Sequence, residues 1–480
     1  MLEHLEPKTV WKYFEQFCSI PHPSGHEQEA AEYIRSIAGK LGLGHISDAT
    51  GNVLIRKESA DRNADRPVVI LQSHLDMVAQ KNETFSHDFL KDPIRPYIDG
   101  EWVRARGTTL GADNGIGVAI ACAVLESSTI NHGPIEALFT VDEERGMTGA
   151  FGLAADSLKG RKLINLDTEN EYEICIGCAG GTDVIATLPI KREPATDKRT
   201  ALSLTMNGLL GGHSGMEIHL GRGNALKLMA RVLMELSRSH EIHLHTLYGG
   251  SARNAIPRES FATISVPDAQ ACHVIDSITS MRSAIKREFE TSDPGFNLQV
   301  TPTVSDIDAL DPESCSRLLE ALFLCPYGII EMSETMPDEV QTSNNLAIVN
   351  PSDNAFFIDC MLRSSSQRSL ASLKESISGL FASRGASIAY GSIYPGWLPA
   401  PDSELLKTMK QAYSSVHNSE PAIVAVHAGL ECGIIGAKFE GMEMISCGPT
   451  IRFAHSPDEQ MNIPSVERFY RSLIAGLEMI

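Results

Sequence analysis

PVVILQSHLD, residues 67–76, is an apolar run that ends in a histidine and an aspartate two positions apart. Residues i and i+2 of a strand share a face, so His74 and Asp76 leave the run on the same side and something must hold their charge. IEALFTV (135–141) and KLINLD (162–167) repeat the pattern, each a short apolar run beside acidic residues. Runs of this kind are expected of strands buried on both faces, as in a parallel sheet covered by helices. Helical segments stand between them. AAEYIRSIAGKLG (30–42) puts Ala31, Ile34, Ile37, Ala38 and Leu41 on one face. GIGVAIACAVLES (115–127) follows Asp113 and Asn114, either of which is suited to cap a helix. The alternation predicts an α/β fold with a largely parallel sheet, in which ligands bind where the strands end.

Those ends carry the ionisable groups. His74 and Asp76 follow PVVILQ, Glu143 and Glu144 follow LFTVD, Asp167 follows KLIN, and Asp113 lies in the Gly-rich loop GTTLGADNGIG (107–117). Imidazole with carboxylate is a ligand set for zinc or a similar divalent ion, and carboxylates gathered at one rim repel unless cations hold them together. Each residue alone reads more blandly, the aspartates as helix caps and the histidine as a partner for a backbone carbonyl. Recurrence at the ends of successive elements favours a metal centre. Glu143 and Glu144, as neighbours in an extended chain, are expected to face opposite ways. The Gly-rich loop is not a dinucleotide site, because the GxGxxG spacing is absent and an acid stands where a pyrophosphate would sit.

At 480 residues the chain exceeds what one hydrophobic core usually supports. Between about 187 and 393 polar–apolar alternation appears in ALSLTMNG (201–208) and SFATISV (260–266), with helical patterns in ALKLMARVLMEL (225–236) and QRSLASLKESISGLF (367–381). This predicts an inserted α+β lid domain over 187–393, with the catalytic domain split into 1–186 and 394–480. SARNAIPRESFATISV (251–266) and TSNNLAIVNPSDNAFFIDC (342–360) faintly repeat one another, as a doubled lid module would. After the insertion, DSELLKTMKQAYSSVH (402–417) reads as a helix and FEGMEMISCG (439–448) as a strand leading to His455.

Composition narrows the function classes. Hydrophobic residues are 42% and charged residues 21% of the chain, and 61 acidic against 41 basic residues give a formal charge of -20. Such a surface repels phosphate backbones and anionic lipid, which argues against nucleic-acid and membrane partners. MLEHLEPKTVWKYFEQF lacks a basic segment followed by an apolar one, and nowhere do about 18 apolar residues run together, so a cytoplasmic location is expected. Of ten cysteines only Cys175 and Cys178 form a CxxC pair; a zinc ribbon needs a second such pair, so they read as buried thiols in a reducing compartment.

HLD (74–76), GADNG (111–115), DEE (142–144), NLDTE (165–169) and AHSPDE (454–459) together resemble the motif series of the di-zinc aminoacylase, carboxypeptidase and dipeptidase family. With IPHPSGHE (20–27), DATGNVLI (48–55), SHLDMVAQKN (73–82), GLLGGHSGMEIHLGRGNA (208–225) and HAGLECGII (427–435), the resemblance spans essentially the whole chain and is strongest to the aminoacyl-histidine dipeptidase branch. It implies a dipeptide substrate, two Zn²⁺ (a ligand set that also accepts Mn²⁺ or Co²⁺), and hydrolysis by a metal-bridged water. By resemblance His74, Asp113 and Asp167 hold one ion and Asp113, Glu144 and His455 the other. Glu143 is then the general base and Asp76 the carboxylate that fixes the His74 tautomer.

In the lid, His213 in GGHSG matches the histidine that stabilises the oxyanion, acting after closure or from another subunit. Asn254 in RNAIP and Arg363 in IDCMLR match positions that grip the substrate carboxylate. HAGLECG departs from the family's usual Gly-Gly-Thr-Asp type loop. Glu431 there is read as the acceptor of a dipeptide's free ammonium, against a plainer role capping the GIIG turn. A tripeptide aminopeptidase, an N-acyl amino acid amidohydrolase and a silent metal-dependent peptide-binding protein are the competing readings. Oligomeric state stays open: a doubled lid completes the site within one chain, whereas many relatives form homodimers through the lid.

Overall fold

Val69–His74 is a strand in which every residue is buried. It lies inside an eight-stranded sheet whose strands, named by their first residues, run Gly44, Val53, Ile135, Val69, Lys162, Glu443, Glu173, Ala422. Pairing is parallel across the four central strands and antiparallel between Gly44–Ser47, Val53–Lys57 and Ile135–Thr140 and between Glu443–Ser446 and Glu173–Cys178. The parallel character expected from sequence thus holds at the centre. The helix Ala112–Glu126 is apolar on all sides and accordingly buried along most of its length.

The structure, a computed structural model, describes residue 2 and residues 4–61, 65–194 and 198–480. It divides into two units, one of Met1–Cys178, Trp397–Ala425 and Leu430–Ile480, the other of Ala179–Gly396 and Val426–Gly429. The second unit begins at Ala179 rather than at 187, because Gly180–Pro189 is an interior strand of its sheet, with pairing on both edges. Glycines open that strand, so its start carries little of the alternation that marks a half-buried strand. Among the described residues no helix is long and apolar enough to cross a membrane.

The second unit is built on one sheet of strands starting at Asn297, Arg199, Ser260, His243, Val340, Ala355, Gly180 and Ser387, with Gly328–Met332 paired to Val340–Pro351. Arg199–Asn207, helix Ala225–Ser239, His243–Gly249, Ser260–Pro267, helix Ala271–Glu288 and Asn297–Thr303 form a β-α-β-β-α-β module in spatial order 4-1-3-2. Gly180–Pro189, helix Pro312–Leu324, Val340–Pro351, Ala355–Ser364, helix Gln367–Ala382 and Ser387–Tyr390 form a second module of the same order. The modules join where Gly249 pairs with Val349. Alternate strand residues such as Leu202, Leu204, Ile264 and Ile358 pack with Leu233, Ile278, Leu319 and Phe381 of the helices in one core.

Two local expectations are corrected. Neither Asp113 nor Asn114 caps the helix. No side chain makes a cap hydrogen bond there: Asp113 turns its oxygens to His74 and His455, Asn114 Oδ1 has no partner, and the Asn114 side chain donates to Leu166 O at 2.7 Å. Glu143 and Glu144 do not extend the strand: Glu143–Gly146 is a four-residue helical turn entered through Asp142 at φ 57°. Successive residues there diverge by about 100° rather than 180°, so both carboxylates can serve one centre.

Candidate metal centre

The parallel strands end at one rim, and the loops that follow converge there. His74 Nδ1 lies 3.0 Å from the carbonyl oxygen of Asp76. A carbonyl only accepts, so Nδ1 carries the proton and the lone pair of Nε2 faces away from it. What Nε2 meets is Asp113 Oδ1 at 3.1 Å and Asp167 Oδ1 at 3.3 Å. On the other side of Asp113, Oδ2 is 3.1 Å from His455 Nε2, which is itself 2.9 Å from Glu144 Oε1. Asp113 therefore turns one oxygen to each imidazole. The ligand atoms of His74, Asp113 and Asp167 lie within 4.8 Å of one another, as do those of Asp113, Glu144 and His455, and those of His74, Glu143 and Glu144.

These approaches suit cations better than hydrogen bonds. Asp167 Oδ1 and Glu144 Oε1 are buried without a hydrogen-bond partner, although an imidazole nitrogen stands close to each. Oxygen and nitrogen lone pairs converging in two overlapping triads match the donor sets of borderline divalent ions. His74 is 1% exposed and His455 50%, so the cluster runs from a closed floor to an open side.

Charge follows from this crowding. Burial works against a charged His74, yet Asp167, Asp113 and Asp76 hold its pKa well above the usual imidazole value. The neighbouring Asp113 and Glu144 carboxylates push His455 up to about 11. Burial raises Glu143 well above the usual carboxylate range; Asp167, Glu431 and Glu144 add to this and His74 opposes it. Burial acts on Asp76 in the same sense, but the His74 ring and the Glu143 amide outweigh it and take this carboxyl down to about 2. Its Oδ1 accepts from Glu143 N at 3.0 Å and its Oδ2 from Glu144 N at 3.2 Å. Asp76 thus reaches His74 Nδ1 through its main chain, with Oδ1 further off at 3.4 Å, and spends its carboxylate holding the turn of the two glutamates.

Glu431 is buried at the start of helix Glu431–Lys438 and makes no cap there. Oε2 accepts from Gln72 Nε2 and Thr140 Oγ1, both at 2.6 Å, and Oε1 has no partner. Burial pushes its pKa up to about 7. Cys175 and Cys178 are buried and lie outside any disulfide, and burial raises Cys178 to about 12, which suits inert thiols.

The second unit gathers His213 and Arg363. His213 Nδ1 accepts from the amides of Gly215 and Met216 at 3.2 and 3.0 Å, leaving Nε2 as the protonated donor. Burial, with Arg363 adding, lowers its pKa, so the ring stays neutral. Arg363 is 4% exposed, its Nε is unpartnered, and it donates to Tyr394 Oη at 3.0 Å. A Cβ on Gly215 would lie 2.1 Å from His427 O and 3.1 Å from both Arg363 Nε and His213 Cε1, so only glycine fits there. Asn254 is exposed, and its carbonyl accepts from Ser214 N at 2.8 Å, next to His213 in the chain.

Residues 70–478 match the model of peptidase family M20/M25/M40. The chain belongs to peptidase family M20/M25/M40. This M20/M25/M40 peptidase is 42% identical over 482 aligned residues to the cytosol non-specific dipeptidase of Escherichia coli (strain K12), covering 100% of this chain and 99% of that protein. Its structure is similar to that of aminoacylhistidine dipeptidase from Vibrio alginolyticus, with a TM-score of 0.95, 41% identity, and coverage of 100% and 98%. An aminopeptidase from Bacillus cereus shares the fold at TM-score 0.59 and 15% identity, covering 99% of each chain.

Reading the sequence missed how this peptidase fastens its site. Gln72 and Thr140 sit inside apolar strands and give no sign of holding Glu431. Glu459 was visible only as the last letter of AHSPDE, although it proves to be 2% exposed. An acidic residue directly before the short strand Gln460–Asn462 was the one available signal.

Proposed function

We propose that the chain is a two-zinc dipeptidase acting in the cytoplasm on neutral dipeptides, Xaa-His among them. The observation that carries this reading is Asp113, whose two oxygens face two different imidazoles. The names of the Escherichia coli and Vibrio alginolyticus relatives support dipeptides as the substrate class and, for the former, the cytosol as the location.

His74, Asp113 and Asp167 would hold one zinc, and Asp113, Glu144 and His455 the other. Bound there, two such ions polarise a scissile carbonyl and make water acidic enough to lose a proton near neutral pH. Glu143 takes that proton and returns it to the leaving amine, a task that its raised pKa favours. Asp76 keeps Glu143 and Glu144 in place through their amides. His213 donates from Nε2 to the developing oxyanion. The buried guanidinium of Arg363, with Asn254, receives the substrate carboxylate. Glu431 offers Oε1 to the free ammonium, which sets a dipeptidase apart from an N-acyl amidohydrolase.

The test is hydrolysis of Xaa-His and Xaa-Gly dipeptides, their N-acetyl forms and tripeptides by zinc-loaded protein, with and without chelator. Chelator-sensitive cleavage confined to free dipeptides is expected. Equal rates on acetylated substrates would remove Glu431 from the scheme, and binding without cleavage would favour a silent peptide receptor. Glu143→Ala is expected to keep both metals and lose about 10²–10⁴-fold in kcat; near-native turnover in a metal-replete variant refutes the general base.

A further inference from the structure

The loop that carries Asp113 is gripped by a carboxylate with no part in the scheme above. Glu459 Oε2 accepts from the amides of Leu110 and Gly111 at 2.7 and 3.0 Å, and Oε1 from those of Ala112 and Asp113 at 2.8 and 3.3 Å. Gly111, at φ 69° and ψ 29°, lies in the left-handed region. Successive amides around such a residue turn to one side and form an anion-binding concavity. Glu459 is 2% exposed, so these bonds are made away from water, where charge-assisted hydrogen bonds are strong.

The same residue stands four positions after His455, in a segment with its own internal bonds. Glu459 N donates to Ser456 O at 3.1 Å, Ser456 Oγ to Phe453 O at 2.8 Å, and Asp458 N to Ser456 Oγ at 3.2 Å. His455 itself is held at φ 62°. One side chain therefore fixes the carboxylate that faces both imidazoles relative to the more exposed of the two imidazoles. The His74 half is built differently. His74 and Asp167 follow from adjacent parallel strands, Val69–His74 and Lys162–Asn165, whose register the sheet sets, and they depend on Glu459 only through Asp113.

We propose that Glu459 is a positioning residue that joins the Asp113 loop to the His455 loop and sets how tightly the Asp113–Glu144–His455 half of the centre holds its cation. This rests on the two-cation reading above. Glu459→Gln keeps the length but turns one acceptor oxygen into an NH₂ facing two main-chain amides. Glu459→Asp keeps the charge but withdraws it by one methylene.

The experiment equilibrates zinc-loaded, full-length protein with buffers of graded free zinc and counts zinc retained per chain, alongside thermal unfolding. The wild type is expected to release two ions in two steps. Glu459→Gln should lose the first at about 10–100-fold higher free zinc, the usual cost of removing a group that orients a ligand, with the second step within about threefold of wild type. Glu459→Asp should fall between. Release curves that superpose on wild type, or equal weakening of both steps, overturn the proposal and leave two cations in place. Fewer than two ions in the wild type overturns the two-cation reading and the proposal with it. If Glu459→Gln does not fold, Glu459→Asp decides by the same asymmetry, its absence counting against the proposal.

Discussion

Arg363 shows how a single residue is decided by what surrounds it. It is a buried guanidinium in strand Ala355–Ser364, and its side chain donates to a neutral phenol. Burying a positive charge without an anion is costly, so an anionic substrate group is the natural complement. Arg363→Met is therefore expected to raise KM for free dipeptides by about 10–100-fold, the value of one or two hydrogen bonds to a charged group, and to change kcat less. Steady-state kinetics check it, and an unchanged KM would assign the carboxylate elsewhere. The side chain was legible in IDCMLR only by resemblance, since a lone arginine reads as a solvated one. Asp113 was legible by its company: alone, an acid before a helix reads as a cap, and its recurrence with His74, Glu144 and Asp167 at the ends of successive elements pointed to a cation.

At the level of elements, the rim was readable because a parallel sheet sends its strand ends one way, and PVVILQSH, IEALFT and KLIN each reach it. The turn Glu143–Gly146 was not, because four residues are too few to show a period, and what makes them helical is the distant Asp76 carboxylate on their amides. A second element supplies a pH test. Asp359, on strand Ala355–Ser364, is pushed up to about 6 by burial and by Asp183, against the pull of Arg253. An unfolded aspartate titrates near about 3.9, so the proton's contribution to stability is fully present below about pH 4 and is lost as pH rises through about 6. Asp359→Asn stays neutral throughout. Its Tm relative to wild type should rise between pH 4.5 and 7.5; parallel Tm curves across that range would show that Asp359 does not titrate there.

For the molecule as a whole, the two units have separate sheets, and among the described residues only the first contains the metal-ligand candidates. A ligand that binds the folded state stabilises what it touches, by about 2.7 kcal/mol at one hundred times its Kd. Chelation should therefore speed amide exchange in Val69–His74, Ala112–Glu126 and Lys162–Asn165 and leave Arg199–Asn207 and Ser260–Pro267 as they were. Exchange mass spectrometry reads this directly, and equal loss of protection in both sheets would contradict it. The sequence by itself determined the α/β class, the inserted second unit, and which histidines and carboxylates end at the rim, since burial period and strand direction are local properties written along the chain. Only the tertiary structure decided that Asp113 faces two imidazoles, that Asp76 holds a helical turn, that Glu431 hangs from Gln72 and Thr140, and that Glu459 gathers four amides. Those contacts run to main-chain groups or join residues 39 to 359 positions apart, and no pattern of neighbours records them.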